Sequence, residues 1–350
     1  MDHINLVVVG CGYVAEGHLQ AWRKVSGASI VAVIDLNEEL ARETARRWKL
    51  PHYYRTLGEA LERGDVNVVD IATPPQVHAP LAVEAMQAGV NVLIEKPMTM
   101  TASDSEKIVD VQKATGVKAG VIHNWLFDQP VVFAKSLVQK GLLGEVFHAS
   151  VEALNTKNDS MAANADHWSH KFPGGRFSEM LAHPVYLLRE FIGKSVRVEN
   201  VEVSKIGDYS WMKSDELVAD FRSGNKLGRA YASFNSSREA IFVDLYGSEG
   251  ILKLDLINST VNVLPRRVTT RFSRGFDAIR QAGQLIKWTA KSVGEIAFKR
   301  WQTGHDLCIK KFADYLLQGG KPPVSVEEGL SVIKTLDEMC KFIVLKENEK

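Results

Sequence analysis

Residues 4–15 read INLVVVGCGYVA, an apolar, branched run that halts at Gly10 and continues with Gly12 and Ala15 at the spacing G-x-G-x-x-A. Each small residue serves a physical need. Gly10 permits a tight turn, Gly12 lets backbone approach a pyrophosphate, and Ala15 lets the next helix pack closely on the strand. Tyr13 and Val14 complete the turn, and the helix opening there presents free amides to phosphate. Asp35 ends the next apolar run, SIVAVID, twenty residues after Ala15. A carboxylate there accepts hydrogen bonds from a ribose 2′-hydroxyl and repels a 2′-phosphate, so NAD is expected over NADP. Read blandly, the glycines only turn the chain and Asp35 caps a helix near Glu38. Strand, helix and spaced acid agree better with nucleotide binding.

Outward from this stretch the rhythm repeats. VNVVDIA (66–72), VNVLIE (90–95) and VKAGVI (117–122) alternate with helical stretches at 37–49, 78–89 and 103–116, the last opening with a capping-box spacing from Ser103 to Glu106. Apolar strands alternating with helices predict an α/β domain on a parallel sheet over residues 1–122. Beyond residue 145 the runs lengthen, alternate and join at Gly or Asn turns, from EVFHASVEAL to ILKLDLINS, predicting an open, mainly antiparallel sheet of about six strands in an α+β domain over 123–350. Helices are expected at 304–318 and, capped by Ser325 and Glu328, after the breaker GGKPP.

The 350 residues carry 43 basic and 42 acidic side chains, so no global charge steers the chain to nucleic acid. Cys11, Cys308 and Cys340 form neither a disulfide framework nor a CxxC site and predict a reducing compartment. No apolar run approaches the roughly 18 residues of a membrane span, and MDHINLVVVG lacks the marks of a leader, so a cytoplasmic protein is expected. The neutrality is local cancellation: residues 266–311 hold eleven basic and three acidic residues, a net +8 against −7 elsewhere. There Ile279, Ala282, Ile286, Ala290, Val293, Ala297 and Trp301 recur at helical spacing among Lys287, Lys291, Lys299 and Arg300. Packing on the protein's own sheet or on an oligomer partner is expected of this helix, 277–301, with contact to a substrate diphosphate or an anionic membrane as alternatives.

Two further loops end parallel strands, where open α/β sheets bind ligands. In ATPPQVH (72–78), Thr73, Pro74, Pro75 and His78 are candidates to line the cofactor, the prolines fixing a rigid turn. In EKP (95–97), Glu95 and Lys96 follow an apolar strand and are further candidates to line the cofactor, and a lysine so placed can hold a substrate hydroxyl.

Together with HNWLFDQP (123–130), GLLGEV (141–146), GGRFSEMLAH (174–183), GH (304–305) and PPVS (322–325), these motifs resemble the glucose-fructose oxidoreductase, inositol dehydrogenase and MocA (Gfo/Idh/MocA) family across essentially the whole chain. The resemblance implies a Rossmann domain, a sheet domain that assembles homodimers or homotetramers, a nicotinamide cofactor, and a sugar, polyol or sugar-nucleotide substrate. It matches Lys96 to the family's EKP lysine and Glu179 and His183 to its acid and histidine. The chain departs from the family at Glu179 and Tyr186, where aspartates are usual, at Leu181 for glycine, and at Leu126, where many members have arginine.

Hydride transfer from a carbinol needs a base for the hydroxyl proton, and His183 titrates in the right range. Lys96 is expected to bind the same oxygen and Glu179 to orient the pair. Pro184 predicts a kink or helix start beside His183. Asn124 is a candidate for the cofactor, and Trp125, Trp168 and Tyr186 for the substrate. His167, His170 and His183 lack a zinc spacing, so no metal is expected. The leading expectation is an NAD-dependent dehydrogenase acting on CH–OH groups. A redox-neutral epimerase or glycosidase that retains NAD and a non-catalytic dinucleotide sensor are the alternatives.

Overall fold

The computed structural model describes residues 2–266, 270–298 and 300–349. It divides the chain into two units: the first runs to Asn124 and adds Gln302–Lys334, and the second holds Trp125–Trp301 and the residues from Thr335.

In the first unit, strands β1 (Ile4–Val9), β2 (Ala28–Ile34), β3 (His52–Tyr54), β4 (Val68–Ile71), β5 (Asn91–Ile94) and β6 (Ala119–Val121) pair in parallel in the order β3-β2-β1-β4-β5-β6. Helices α1 (Tyr13–Arg23), α2 (Glu38–Trp48), α3 (Leu57–Leu61), α4 (His78–Gln87) and α5 (Ala102–Thr115) connect them. β1, β4 and β5 are buried almost throughout, which is why they read as continuous apolar runs. The strand order reverses between β1 and β4, so the loops after these strands flank a topological switch point. α5 begins two residues ahead of the expected capping box: Thr101 is the cap and accepts from the Asp104 amide, while Ser105 is buried.

The second unit opens with α6 (Gln129–Gln139), β7 (Val146–Thr156), α7 (Arg176–Met180) and α8 (Ala182–Ile192). It continues with β8 (Arg197–Ser204), β9 (Glu216–Ser223), β10 (Lys226–Ser236), β11 (Ala240–Gly247), β12 (Gly250–Asp255), β13 (Thr260–Pro265) and α9 (Arg271–Ala297). The sheet has seven strands rather than six, in the order β13-β12-β11-β7-β10-β9-β8, and its one parallel pair is β7 with β10. α8 packs on β7 and β10, where Ala149, Val151, Ala230 and Ala232 give it a flat buried floor. The helix break expected at Pro184 falls at Leu181, between α7 and α8, so Glu179 and His183 sit on consecutive helices.

The remaining helices are α10 (Gly304–Gln318) and α11 (Val326–Asn348). α10 groups with the first unit, where a split near residue 123 would give it to the second. It packs on α1, burying Cys308, Ile309, Phe312 and Leu316. Lys118, just before β6, donates to the Tyr315 and Leu316 carbonyls at the end of α10, where a cation also meets the negative end of the helix dipole. The Val121 amide donates to Val324 O. Ser325 and Glu328 form the expected reciprocal cap of α11.

α9 contacts the edge strand β13 of its own sheet, one of the packings expected of it, and leaves much of its apolar stripe outward. It meets β13 through Gln284, which bonds both backbone groups of Val263, while Ile279, Ile286 and Val293 of the apolar stripe are 69%, 70% and 59% exposed. Lys299 of that stretch lies outside the described residues. Among the described residues no helix is long and apolar enough to cross a membrane.

The switch point depends on one close approach. Gly10 has φ +100° and donates to Ile34 O, and a Cβ on it would stand 2.7 Å from Ala72 O. Neither backbone can yield without disturbing β1 or β4. Gly10→Ala is therefore expected to lower the unfolding free energy by about 2–4 kcal/mol. Gly12 has φ −75° and open space around its Cβ position, so Gly12→Ala is expected to stay within about 1 kcal/mol of the native protein. Urea denaturation of both variants checks this, and equal losses would contradict it.

Candidate functional site

The turn after β1 leaves the amino end of α1 bare. Gly12 is its N-cap, no side chain caps it, Tyr13 is 89% exposed, and a Cβ on Gly12 would enter empty space. That is the cradle a phosphate needs: bare amides at a helix start with nothing between them and a ligand. Val14 and the buried Ala15 begin the helix behind it. Asp35 is half-buried at the end of β2, where Oδ2 accepts from the Cys11 amide at 2.9 Å and Oδ1 from the Asn37 amide at 2.9 Å. Its carboxylate is thereby tied to the glycine turn, and Asn37, rather than Asp35, caps α2. Thr73 Oγ1, on the loop after β4, is buried without a hydrogen-bond partner. An orphaned hydroxyl beside an open cradle fits a dinucleotide that would supply the missing bond.

Three candidate cofactor residues occupy a different place from a surface lining. His78 is fully buried, with Nε2 2.7 Å from Thr73 O and Nδ1 3.2 Å from Met98 O. Burial pushes its pKa down against the pull of these two carbonyls, and a ring with a single N–H donates to one of them while packing against the other. Pro74 is exposed and Pro75 buried at the start of a short 3-10 turn, as expected for a rigid loop. Glu95 is 3% exposed, and its carboxylate turns into the sheet.

There it joins residues that sequence reasoning missed. Asp70 stands in the middle of β4 and is fully buried. His18 Nδ1 lies 2.8 Å and Trp22 Nε1 2.6 Å from Asp70 Oδ2, while His18 Nε2 is 3.4 Å and His305 Nε2 3.0 Å from Glu95 Oε1. Burial alone would strip the proton from His18, but the Asp70 and Glu95 carboxylates outweigh it and push its pKa up to about 10. Burial opposes ionisation of Glu95 too, yet the bonds from His18 and His305 hold its carboxyl well below the usual range. The ligand atoms of His18, Glu95 and His305 lie within 4.8 Å of one another, a spacing a metal could accept. The same three side chains bond to one another, Glu95 Oε1 meeting both rings, so the cluster is also a hydrogen-bonded network. The signal available in sequence was Asp70, an acid inside an otherwise apolar buried strand.

The second unit brings together a different set. Trp125 lies in the short turn Asn124–Phe127 and stacks on His183 with centroids 4.0 Å apart and planes 14° apart. Tyr186 is 2% exposed; its hydroxyl lies 2.6 Å from His183 Nδ1 and accepts from the Trp125 amide at 3.0 Å. The indole fixes the plane of the imidazole and the phenol fixes its rotation. Tyr186, expected at the substrate, is thus a buried support of His183. Glu179 is ion-paired with Arg176, one turn away on α7, and Arg176 also lies over the Phe234 ring. Arg176 carried no expectation from the sequence. Trp168 is half-buried between His167 and Phe172, and His167 and His170 bond to Ser169 and to Met161 O.

Comparison with known proteins agrees with this fold. Residues 4–123 match the GFO/IDH/MocA oxidoreductase family, NAD-binding Rossmann fold, and residues 131–253 match the GFO/IDH/MocA C-terminal domain. An oxidoreductase of Formosa agariphila is 25% identical over 349 residues, covering 97% of this chain and 99% of the relative. Myo-inositol 2-dehydrogenase of Thermotoga maritima is 23% identical, covering 77% and 81%. Levoglucosan dehydrogenase in complex with NADH and levoglucosan shares the fold at TM-score 0.79 and 19% identity over 98% of both chains. WlbA dehydrogenase from Bordetella pertussis, in complex with NADH and UDP-GlcNAcA, does so at 0.79 and 19% over 99% and 96%. With both of its units matched, the chain belongs to the Gfo/Idh/MocA family of NAD-dependent sugar and polyol dehydrogenases, and NAD is its cofactor.

Proposed function

We propose that the protein oxidises a secondary hydroxyl of a sugar, polyol or nucleotide-linked sugar. The observation that carries the reading is the clamped imidazole of His183, held in plane by Trp125 and in rotation by Tyr186. A ring fixed on two sides is what a proton acceptor of defined direction requires. The relatives support the substrate class, since those named include dehydrogenases of D-apiose, levoglucosan and myo-inositol.

Gly10, Gly12, Tyr13, Val14 and Ala15 would hold the pyrophosphate of NAD at the start of α1, Asp35 the adenosine ribose, and Thr73, Pro74, Pro75 and Asn124 the nicotinamide half. When bound, NAD supplies the hydride acceptor. Lys96 binds the substrate hydroxyl and stabilises negative charge as it develops on that oxygen. His183 takes the hydroxyl proton on the ring nitrogen that Tyr186 does not face. Tyr186 stands where the family usually has an aspartate, so it orients the ring without adding a charge. Glu179, neutralised by Arg176, anchors α7 ahead of His183, and Trp168 offers a ring face to the sugar.

Purified protein mixed with NAD and a panel of myo-inositol, levoglucosan and UDP-N-acetylglucosaminuronic acid is expected to form NADH stoichiometrically with at least one of them. NADP is expected not to replace NAD. His183→Asn is expected to lower kcat by about 10²–10⁴-fold, and Tyr186→Phe by about tenfold with KM little changed. Product without net NADH would favour redox-neutral chemistry, and full turnover by His183→Asn would refute the base.

We also propose that the protein assembles as a homo-oligomer through its second sheet. The face away from α8 carries Phe242, Tyr231, Tyr246 and Leu227 among Glu152, Asp244 and Arg229, half-buried or exposed, a mixture suited to a buried interface. Light scattering is expected to give a multiple of 38.9 kDa, and a single-chain mass at micromolar concentration would refute it.

A further inference from the structure

The chemistry proposed above leaves four titratable side chains unused, and they meet inside the first unit from four elements. His18 comes from α1, Asp70 from β4, Glu95 from the end of β5 and His305 from α10. Cys308, also on α10 and fully buried, is held as a neutral thiol, since burial pushes it up to about 12. The charges reach the reacting loop at one point: the second oxygen of Glu95 accepts the backbone N–H of Lys96.

We infer that His18 is a positioning residue for Lys96, the cation that fixes the Glu95 carboxylate on which the Lys96 peptide is hung. Three features carry this. His18 faces a carboxylate with each ring nitrogen, so its imidazolium is the bridge between Asp70 and Glu95. Trp22, one turn on along α1, also donates to Asp70 and fixes that carboxylate in turn. His305 holds the Glu95 oxygen that His18 faces, so the carboxylate has few ways to rotate while its other oxygen stays on the Lys96 amide. A buried ion network is weak evidence for stability alone, because apolar residues of the same volume usually replace one without loss. A network ending on the peptide of a reacting lysine fits orientation better. α1 also opens with the bare amides that would receive the cofactor phosphates, so one helix sets both the phosphate cradle and, through His18, the lysine.

The inference rests on the assignment of Lys96 to the substrate oxygen, and hydrogen–deuterium exchange of the ligand-free protein, resolved to single amides, tests it without needing a substrate. In His18→Gln, the Lys96 amide is expected to exchange about tenfold faster while amides of β1 and β6 keep their protection. The dissociation constant of NAD is expected to stay within about threefold of the native value, because the cradle is untouched. Should His18→Gln fail to fold, His305→Gln, at the half-exposed end, is expected to raise the same exchange by about threefold. Unchanged exchange at Lys96 in a folded variant, or a uniform rise across the whole sheet, overturns the inference. Turnover by Lys96→Ala at the native rate is a separate outcome: it refutes the role of Lys96 in catalysis, and with it the purpose of the clamp, whatever exchange reveals.

Discussion

A positive charge buried between two carboxylates is the constraint on which the first unit depends. His18 presents one ring nitrogen to Asp70 and the other to Glu95, so a single side chain compensates two carboxylates buried among apolar strands. With it, α1, β4, β5 and α10 are joined by bonds that all end on two carboxylates. The topological switch point supplies the opening for a dinucleotide, and the ion network lies under its floor. Gly10 against Ala72 and His78 against Thr73 and Met98 keep the loops around that opening in register.

The second unit solves the complementary problem by different means. Its His183 imidazole is set by an indole face and a phenol, on the helix that follows the break at Leu181. The two departures from the family pattern make sense side by side. Tyr186 puts a neutral phenol where the family usually has an aspartate, and Glu179, longer than aspartate by a methylene, is met by Arg176. Lys96 and His183 each depend on supports that lie within their own units.

The stretch INLVVVGCGYVA carried most of what was legible. A buried parallel strand must be apolar, a phosphate turn must be glycine, and both constraints act within a dozen residues, so local reading finds them. The alternating strands of the second sheet were legible for the same reason, apart from β13, whose short run TVNVLP was not separated from its neighbours. What escaped acts over long separations. His18 and Asp70 are 52 residues apart, and His305 and Glu95 are 210 apart, so no periodicity relates them. α10 was visible as a helix, but its place in the first unit depends on contacts far upstream, among them Lys118 with the Tyr315 and Leu316 carbonyls. The stripe on α9 was read correctly as amphipathic, yet its burial partner does not follow from amphipathicity, and within the single chain that stripe faces outward. At α5 the spacing from Ser103 to Glu106 was read as the cap, whereas Thr101 caps the helix by accepting from the Asp104 amide.

The charge state of His18 is therefore the quantity on which the rest turns. Nitrogen-15 NMR of the histidine-labelled protein, with the His18 signals assigned by comparison with His18→Gln, reads it directly. Both ring nitrogens are expected to be protonated and to remain so from about pH 6 to about pH 9, because the pKa is pushed up to about 10. A neutral His18 ring at about pH 7, or a titration near the ordinary histidine value of about 6.5, would contradict the account.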